Sequence, residues 1–261
     1  FIVSLVAVND PLYLLAIAPL VWLLHLFSID RRERYTKALE LQRAYRGTVM
    51  LLSDVIESED RYTAEHSRSV VELVNAVADQ LGVQEQDRQE LEFAAMLHDV
   101  GKIAIPKEIL NKPAALTESE FEVIKTHTIE GQFMLDRVGG LLGRVGEIVR
   151  SHHERWDGRG YPDSLAGEDI PLASRVIGAC EAFCSLTADR PFRPALTADR
   201  ARQVLEAGAG THFDPQVVTA MIGVLDEQPS LAVLPSDAPP VPVAQPEHAV
   251  PEEEREARIA R

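Results

Sequence analysis

Two dipeptides in this chain carry side chains suited to a divalent metal: His98-Asp99, at the end of an apolar run, and His152-His153. An imidazole beside a carboxylate supplies the mixed nitrogen and oxygen donors that such ions accept. One pair cannot close a site. His127 lies between the two dipeptides and His66 lies upstream, so five of the chain's eight histidines form one ordered series. Neighbouring helix residues point about 100° apart, at 3.6 per turn, so neither dipeptide easily chelates a single ion. At helix ends the pairs can straddle two ions, which suggests a two-metal site. Read alone, His66 is a structural histidine, as lone helix histidines usually are.

Helices must position these groups. An apolar stripe of Val70, Leu73, Val74, Val77 and Leu81 predicts a helix over residues 61–81, stopped by Gly82. Residues 87–99 form the next, ended by Gly101, whose access to positive φ is expected to turn the chain and return Lys102 toward the site. A lysine there also merely complements a helix C-terminus. Thr117 and Glu120 have capping-box spacing, opening a helix with His127 late in it. Gly139-Gly140 precedes a helix over 141–152, a glycine-rich loop covers 157–167, and helices follow over 170–187, 198–207 and 215–225. The pattern is an all-α helical bundle.

The flanks differ. The chain begins at Phe1, which reads as a piece of a longer protein. Residues 1–29 are expected to be a transmembrane segment: the run 12–27 holds no charged side chain except His25, and Arg31, Arg32, Arg34 and Lys37 follow it, as on a cytoplasmic flank. Residues 30–56 read as a linker helix. Tyr35, Ala38, Gln42, Tyr45, Val49, Leu52 and Ile56 recur at steps of three and four, the seam of an imperfect homodimeric coiled coil or of a helix packed once on its own domain. Residues 57–227 make the main domain, and 228–261, rich in Pro, Ala and Glu, are expected to be disordered. A formal charge of −15, from 41 acids against 26 bases, disfavours long nucleic acid. Cys180 and Cys184, four apart in a helical segment, read as core residues.

The order of His66 within Tyr62-Thr63-Ala64-Glu65-His66-Ser67, then His98-Asp99, His152-His153 and Gly160-Tyr161-Pro162, resembles the HD-GYP family, a branch of the HD metal-dependent phosphohydrolases that degrades cyclic di-GMP. The resemblance spans roughly residues 54–226 and implies an HD-type helical bundle. It implies His66, His98, Asp99 and Glu181 around one ion, with Asp99 bridging to a second held by His127, His152 and His153. Oxygen and imidazole donors without cysteine suit iron or manganese rather than structural zinc. Asp99 and Lys102 are the implied catalytic groups, Lys102 contacting phosphate or the leaving group. Arg190 and Arg193 are candidates for bidentate phosphate binding. Gly160 and Tyr161 would cover the substrate or a partner domain, although Tyr161 equally fits a buried loop anchor.

Two positions depart from the family pattern, in which aspartate usually stands at both: Glu181 and Cys184. The expected function is hydrolysis of cyclic di-GMP to linear pGpG or on to GMP, by a domain on the cytoplasmic side of the cell inner membrane. The alternative is a weakened or inactive domain serving as a cyclic di-GMP receptor or an interaction module. Six retained ligand residues favour the enzyme; the changes at 181 and 184 favour the receptor.

Overall fold

The computed structural model describes residues 12–59, 64–112, 114–189 and 194–232, apart from the side chains of residues 12–17, 38, 42, 54–59 and 64–65. Two compact units are distinguished, Phe1–Thr48 and Val49–Arg261. Helix α1 spans Leu12–Glu59.

In the first unit, Leu20, Trp22, Leu24 and Phe27 are exposed. Among the described residues no helix is long and apolar enough to cross a membrane, so the expected transmembrane segment over 1–29 is not supported. Residues 1–11 of that segment lie outside the described residues.

The second unit is built from α2 (Ala64–Gln80), α3 (Glu85–Leu97), α4 (Lys107–Leu110), α5 (Glu118–Lys125), α6 (His127–Val138), α7 (Leu141–Arg150), α8 (Leu172–Thr187), α9 (Ala198–Gly208) and α10 (Pro215–Glu227). Among the described residues there is no strand, and the all-helical expectation holds. The helices form because their apolar residues recur at helical spacing and share one core: Val70, Leu73, Val74 and Val77 of α2 are wholly buried with Phe93 of α3 and Phe183 of α8. Each large side chain of this kind contributes roughly 1.5–3 kcal/mol on burial. α2 lies against α3 and α8, and α7 against α3 and α6.

Three details differ from the sequence reading. Val49 of the expected seam is buried in this core, and Ser53 Oγ donates to the Met96 carbonyl at 2.8 Å. That stretch of α1 therefore packs on its own domain, while Tyr35 and Leu52 stay exposed. The helix expected to carry His127 near its end is two helices, so His127 instead opens α6. The capping box at Thr117 and Glu120 is present and opens α5 as expected. Third, residues 229–232 form a short 3-10 turn that buries Ala232, so the core extends slightly past the expected boundary at 227; the expected disordered stretch from 233 lies outside the described residues.

Candidate metal centre

The buried run from Leu91 to Leu97 drives the end of α3 into the core and leaves His98 at its C-terminus. Asp99 follows at φ −95° and ψ 5°, and a 3-10 turn over Val100–Ala104 returns the chain. Gly101 makes this possible, though not by the expected positive φ, for it is absent from the left-handed region. The cause is close approach. A Cβ on Gly101 would overlap the His127 carbonyl oxygen and stand 2.6 Å from Gly131 N, so only glycine lets this turn cross α6 and bring Asp99 to His127. Gly178 acts likewise: a Cβ there would stand 2.6 Å from the His152 carbonyl oxygen, so α8 closes on the end of α7 with Glu181 one turn further on.

Three imidazoles are held in the same way. Nδ1 of His98 lies 2.8 Å from the Ala95 carbonyl, Nδ1 of His127 2.7 Å from that of Ile124, and Nδ1 of His152 2.6 Å from that of Val149. A carbonyl oxygen can only accept, so each Nδ1 carries the proton and each Nε2 keeps its lone pair for a ligand, the tautomer that metal-bound histidines take. Ligand atoms of His127, His152 and His153 all lie within 4.8 Å of one another. The Nε2 atoms of His127 and His152 are 3.5 Å apart, and Asp99 Oδ1 is 3.7 Å from His127 Nε2.

Nε2 of His98 and Oδ1 of Asp99 are buried with no hydrogen-bond partner. Burying polar atoms unpaired is costly, and two of them facing a nest of imidazole lone pairs fit a cation. Burial, with the neighbouring imidazoles, holds His152 well below the usual histidine value and His127 at about 4. Burial also lowers His153, against the pull of Glu181 and Asp99. These rings are therefore neutral, as ligation requires. His98 differs: burial lowers it, but Asp99 and Glu181 outweigh that and raise it. Burial works to raise Asp99, yet Lys102, His98 and His127 leave it well below the usual carboxylate range. In Glu181 burial is likewise outweighed, by His153 and His98. The residues present fit a divalent ion.

The structure thus gathers His98, Asp99, His127, His152 and His153, with Glu181 in electrostatic reach of His153, His98 and Asp99. His66 is buried near the start of α2 but falls outside the close set of three. Lys102 Nζ donates to Asp99 Oδ2 at 2.7 Å, steadying that carboxylate. Arg190 and Arg193 lie outside the described residues. Cys184 is buried in the hydrophobic core, where burial pushes its thiol up to about 12. It is a neutral core group, as its spacing from Cys180 suggested.

Both readings left open for Tyr161 keep support, since it lines the cavity beside His153 and is also packed on that residue. Its ring stacks on His153, with centroids 4.9 Å apart and planes 28° apart, and burial raises its hydroxyl pKa. Gly160 lies directly on the Glu154–Arg155 backbone, where a Cβ would overlap Arg155 N. Buried Glu154 accepts from Asp163 N at 2.6 Å and Leu165 N at 3.1 Å. The loop is thereby fastened over a candidate ligand.

A cavity of about 640 Å³ opens from His152, His153 and Glu181 past Arg155, Trp156 and Arg159 to His212. His212 was missed at the level of sequence. It stands apart from the motif histidines, and only the folded chain brings it to their cavity.

An all-helical domain that gathers buried neutral imidazoles around an ionised aspartate is a metal-binding domain of HD type. The chain belongs to the HD domain family, whose match covers residues 50–217, and the resemblance to the HD-GYP branch holds. The cyclic di-GMP phosphodiesterase response regulator RpfG of Xanthomonas campestris is 40% identical over 184 residues, covering 70% of this chain and 49% of that protein. A cyclic di-GMP phosphodiesterase of Thermotoga maritima is 36% identical over 173 residues, 66% of this chain and 47% of its own. The 3'3'-cGAMP-specific phosphodiesterase 2 of Vibrio cholerae is 34% identical over 196 residues, 75% of this chain and 38% of its own. The chain thus spans about half or less of these relatives. Among solved structures, a cyclic GMP-AMP specific phosphodiesterase of Vibrio cholerae superposes with a TM-score of 0.53 at 20% identity, over 70% of this chain and 49% of that one. That likeness concerns the fold alone.

Proposed function

We propose that the domain is a metal-dependent phosphodiesterase that opens cyclic di-GMP to linear pGpG, with onward cleavage to GMP. The observation that carries this reading is the repeated Nδ1-to-carbonyl bond beside the orphaned His98 Nε2 and Asp99 Oδ1. The names of the relatives support the substrate class. His127, His152 and His153, with Asp99 bridging to His66, His98 and Glu181, would hold two divalent ions, iron or manganese. Such ions, when bound, supply an activated water and neutralise phosphodiester oxygens.

The chain's own groups do the rest. Asp99 stays ionised and, oriented by Lys102, keeps Oδ1 turned to the imidazoles. Lys102 is the ammonium that meets the phosphate and gives a proton to the departing ribose oxygen as the ring P–O bond exchanges for one from water. Tyr161 covers His153 and limits the ring's motion. Arg190 and Arg193 are assigned to the phosphate as bidentate donors.

Metal analysis of anaerobically purified protein, joined to chromatography of cyclic di-GMP, pGpG and GMP, tests the reading. The expected result is metal-dependent turnover. Glu181→Ala should lose metal and roughly 10- to 100-fold of the activity, as outer or altered ligands do, while Glu181→Asp keeps both. Full metal loading with no turnover overturns the enzyme and leaves a cyclic di-GMP receptor.

Residues 1–29 are further assigned to the inner membrane, with the domain cytoplasmic, on the strength of exposed Leu20, Trp22 and Phe27 ahead of the basic cluster. Recovery of the whole chain in the soluble fraction without detergent would refute this. Residues 31–56 are assigned to a homodimer. Because Val49 belongs to the domain core, Tyr35→Glu with Leu52→Glu is the pair that should give monomers by light scattering.

A further inference from the structure

Of the three histidines that line the cavity, His212 is the one that neither the metal set nor the family motif uses. It sits in the turn from Gly208 to Phe213, where His212 N donates to the Gly208 carbonyl at 2.9 Å and Gly210 N to that of Phe213 at 2.9 Å. Two more backbone bonds fix the turn to the segment just after the paired histidines: Trp156 N to the His212 carbonyl at 3.1 Å and Asp157 N to that of Thr211 at 2.8 Å. The neighbouring Asp214 accepts from Gln216 N at 2.8 Å, capping α10, and from Arg175 Nη1 at 2.5 Å. A side chain on so fixed a turn has a defined position relative to His153.

Nδ1 of His212 is sealed from solvent and has no hydrogen-bond partner. Nε2 also makes no hydrogen bond, yet it is not sealed, so it is the polar atom that this ring offers to the cavity. We assign the proton to Nε2, because that tautomer leaves Nδ1 an unpaired acceptor rather than the rarer unpaired donor. Burial and the Arg155 guanidinium keep the ring neutral, its pKa pushed down to about 4. In that tautomer the cavity, which Glu181 also lines, receives an N–H donor from His212. It also receives the indole of Trp156 and the exposed Arg159.

We propose that His212 is a positioning residue that binds guanine, its Nε2–H meeting the N7 and O6 acceptors of one base of the cyclic dinucleotide while Trp156 offers a stacking face. Guanine presents two adjacent acceptors on that edge, whereas adenine presents an acceptor beside an amino donor that would face another donor. Aromatic side chains bind bases by stacking without regard to sequence, so the donor rather than the ring selects guanine. This inference rests on the phosphodiesterase reading.

The test compares wild type, His212→Phe and His212→Gln on cyclic di-GMP and on bis(p-nitrophenyl) phosphate, a phosphodiester without bases, with metal content measured for each. His212→Phe keeps the backbone bonds and an aromatic ring but has no donor. It should raise KM for cyclic di-GMP roughly 3- to 10-fold, the worth of one hydrogen bond, with kcat, metal content and the baseless substrate unchanged. His212→Gln, whose amide nitrogen stands in for Nε2, should recover most of the loss. An unchanged KM in His212→Phe overturns the inference and leaves the enzyme reading intact. Equal losses on both substrates, or lost metal, overturn it in favour of a structural or ligating role. If the metal-loaded wild type cleaves neither substrate, the phosphodiesterase reading fails and this inference falls with it.

Discussion

Gly101→Ala is expected to damage stability and metal binding together. The added Cβ has nowhere to go: it overlaps the His127 carbonyl oxygen and stands 2.6 Å from Gly131 N. Both are backbone atoms, so no rotamer change relieves the contact and the 3-10 turn must lift from α6. Overpacking of this kind costs about 3 kcal/mol, which for a domain of this size lowers the thermal midpoint by roughly 6–12 °C. The turn carries Asp99 and Lys102 while α6 carries His127, so the same displacement separates the carboxylate from the imidazoles. Metal content and turnover should fall with the midpoint. Gly143→Ala is the control, since a Cβ there meets only Asp136 Oδ1 at an ordinary 3.8 Å and alanine favours the helix. Calorimetry showing Gly101→Ala within 1–2 °C of wild type and fully metallated would refute the packing argument, which treats clashes of this size as unrelieved.

The metal-free protein should lose stability steeply as pH falls from about 6.5 to about 4. In the unfolded chain histidine takes a proton near its ordinary value of 6.5, whereas His127 in the fold takes one only at about 4. Between those values the unfolded state binds more protons, so acid favours it. At 1.36 kcal/mol per unit, His127 alone accounts for up to about 3 kcal/mol. His152 and His153, also lowered, act in the same direction. Asp99 and Glu181, lowered carboxylates, add stability above the unfolded carboxylate value that is lost as pH drops through their folded values. His98 opposes them: its value is raised, so its contribution is complete below 6.5 and fades only as pH rises through the folded value. The balance is a net acid loss. Melting of chelator-treated protein from pH 7 to pH 4.5 should show it, and saturating manganese should raise the pH 7 midpoint, the two curves converging as protons displace metal. A midpoint flat between pH 7 and pH 5 would show that the imidazoles are solvated rather than buried.

Much of this protein was legible in its sequence because periodicity reports local structure. The apolar spacing of Val70, Leu73, Val74 and Val77 marks a helix face whatever lies opposite, and those residues are wholly buried. The capping box at Thr117 and Glu120 is a contact three residues long, and it is present. The dipeptides His98-Asp99 and His152-His153 announced a metal chemistry by donor type alone. What the sequence could not decide depends on separations of tens of residues. Val49 fits a coiled-coil seam as well as a core, and packing against the domain settled it as core. Gly101 read as a φ-driven turn because spacing cannot reveal that the His127 carbonyl will lie against it. That the Tyr161 ring stacks on His153 while lining the cavity is likewise set by the fold and not by local spacing. His212 joins the cavity only because its turn is hydrogen-bonded to residues more than 50 positions earlier, the His212 carbonyl accepting from Trp156 N and the Thr211 carbonyl from Asp157 N. Residue types set which chemistry is available to this chain; the crossing of helices, which no local pattern encodes, decides which of those groups meet.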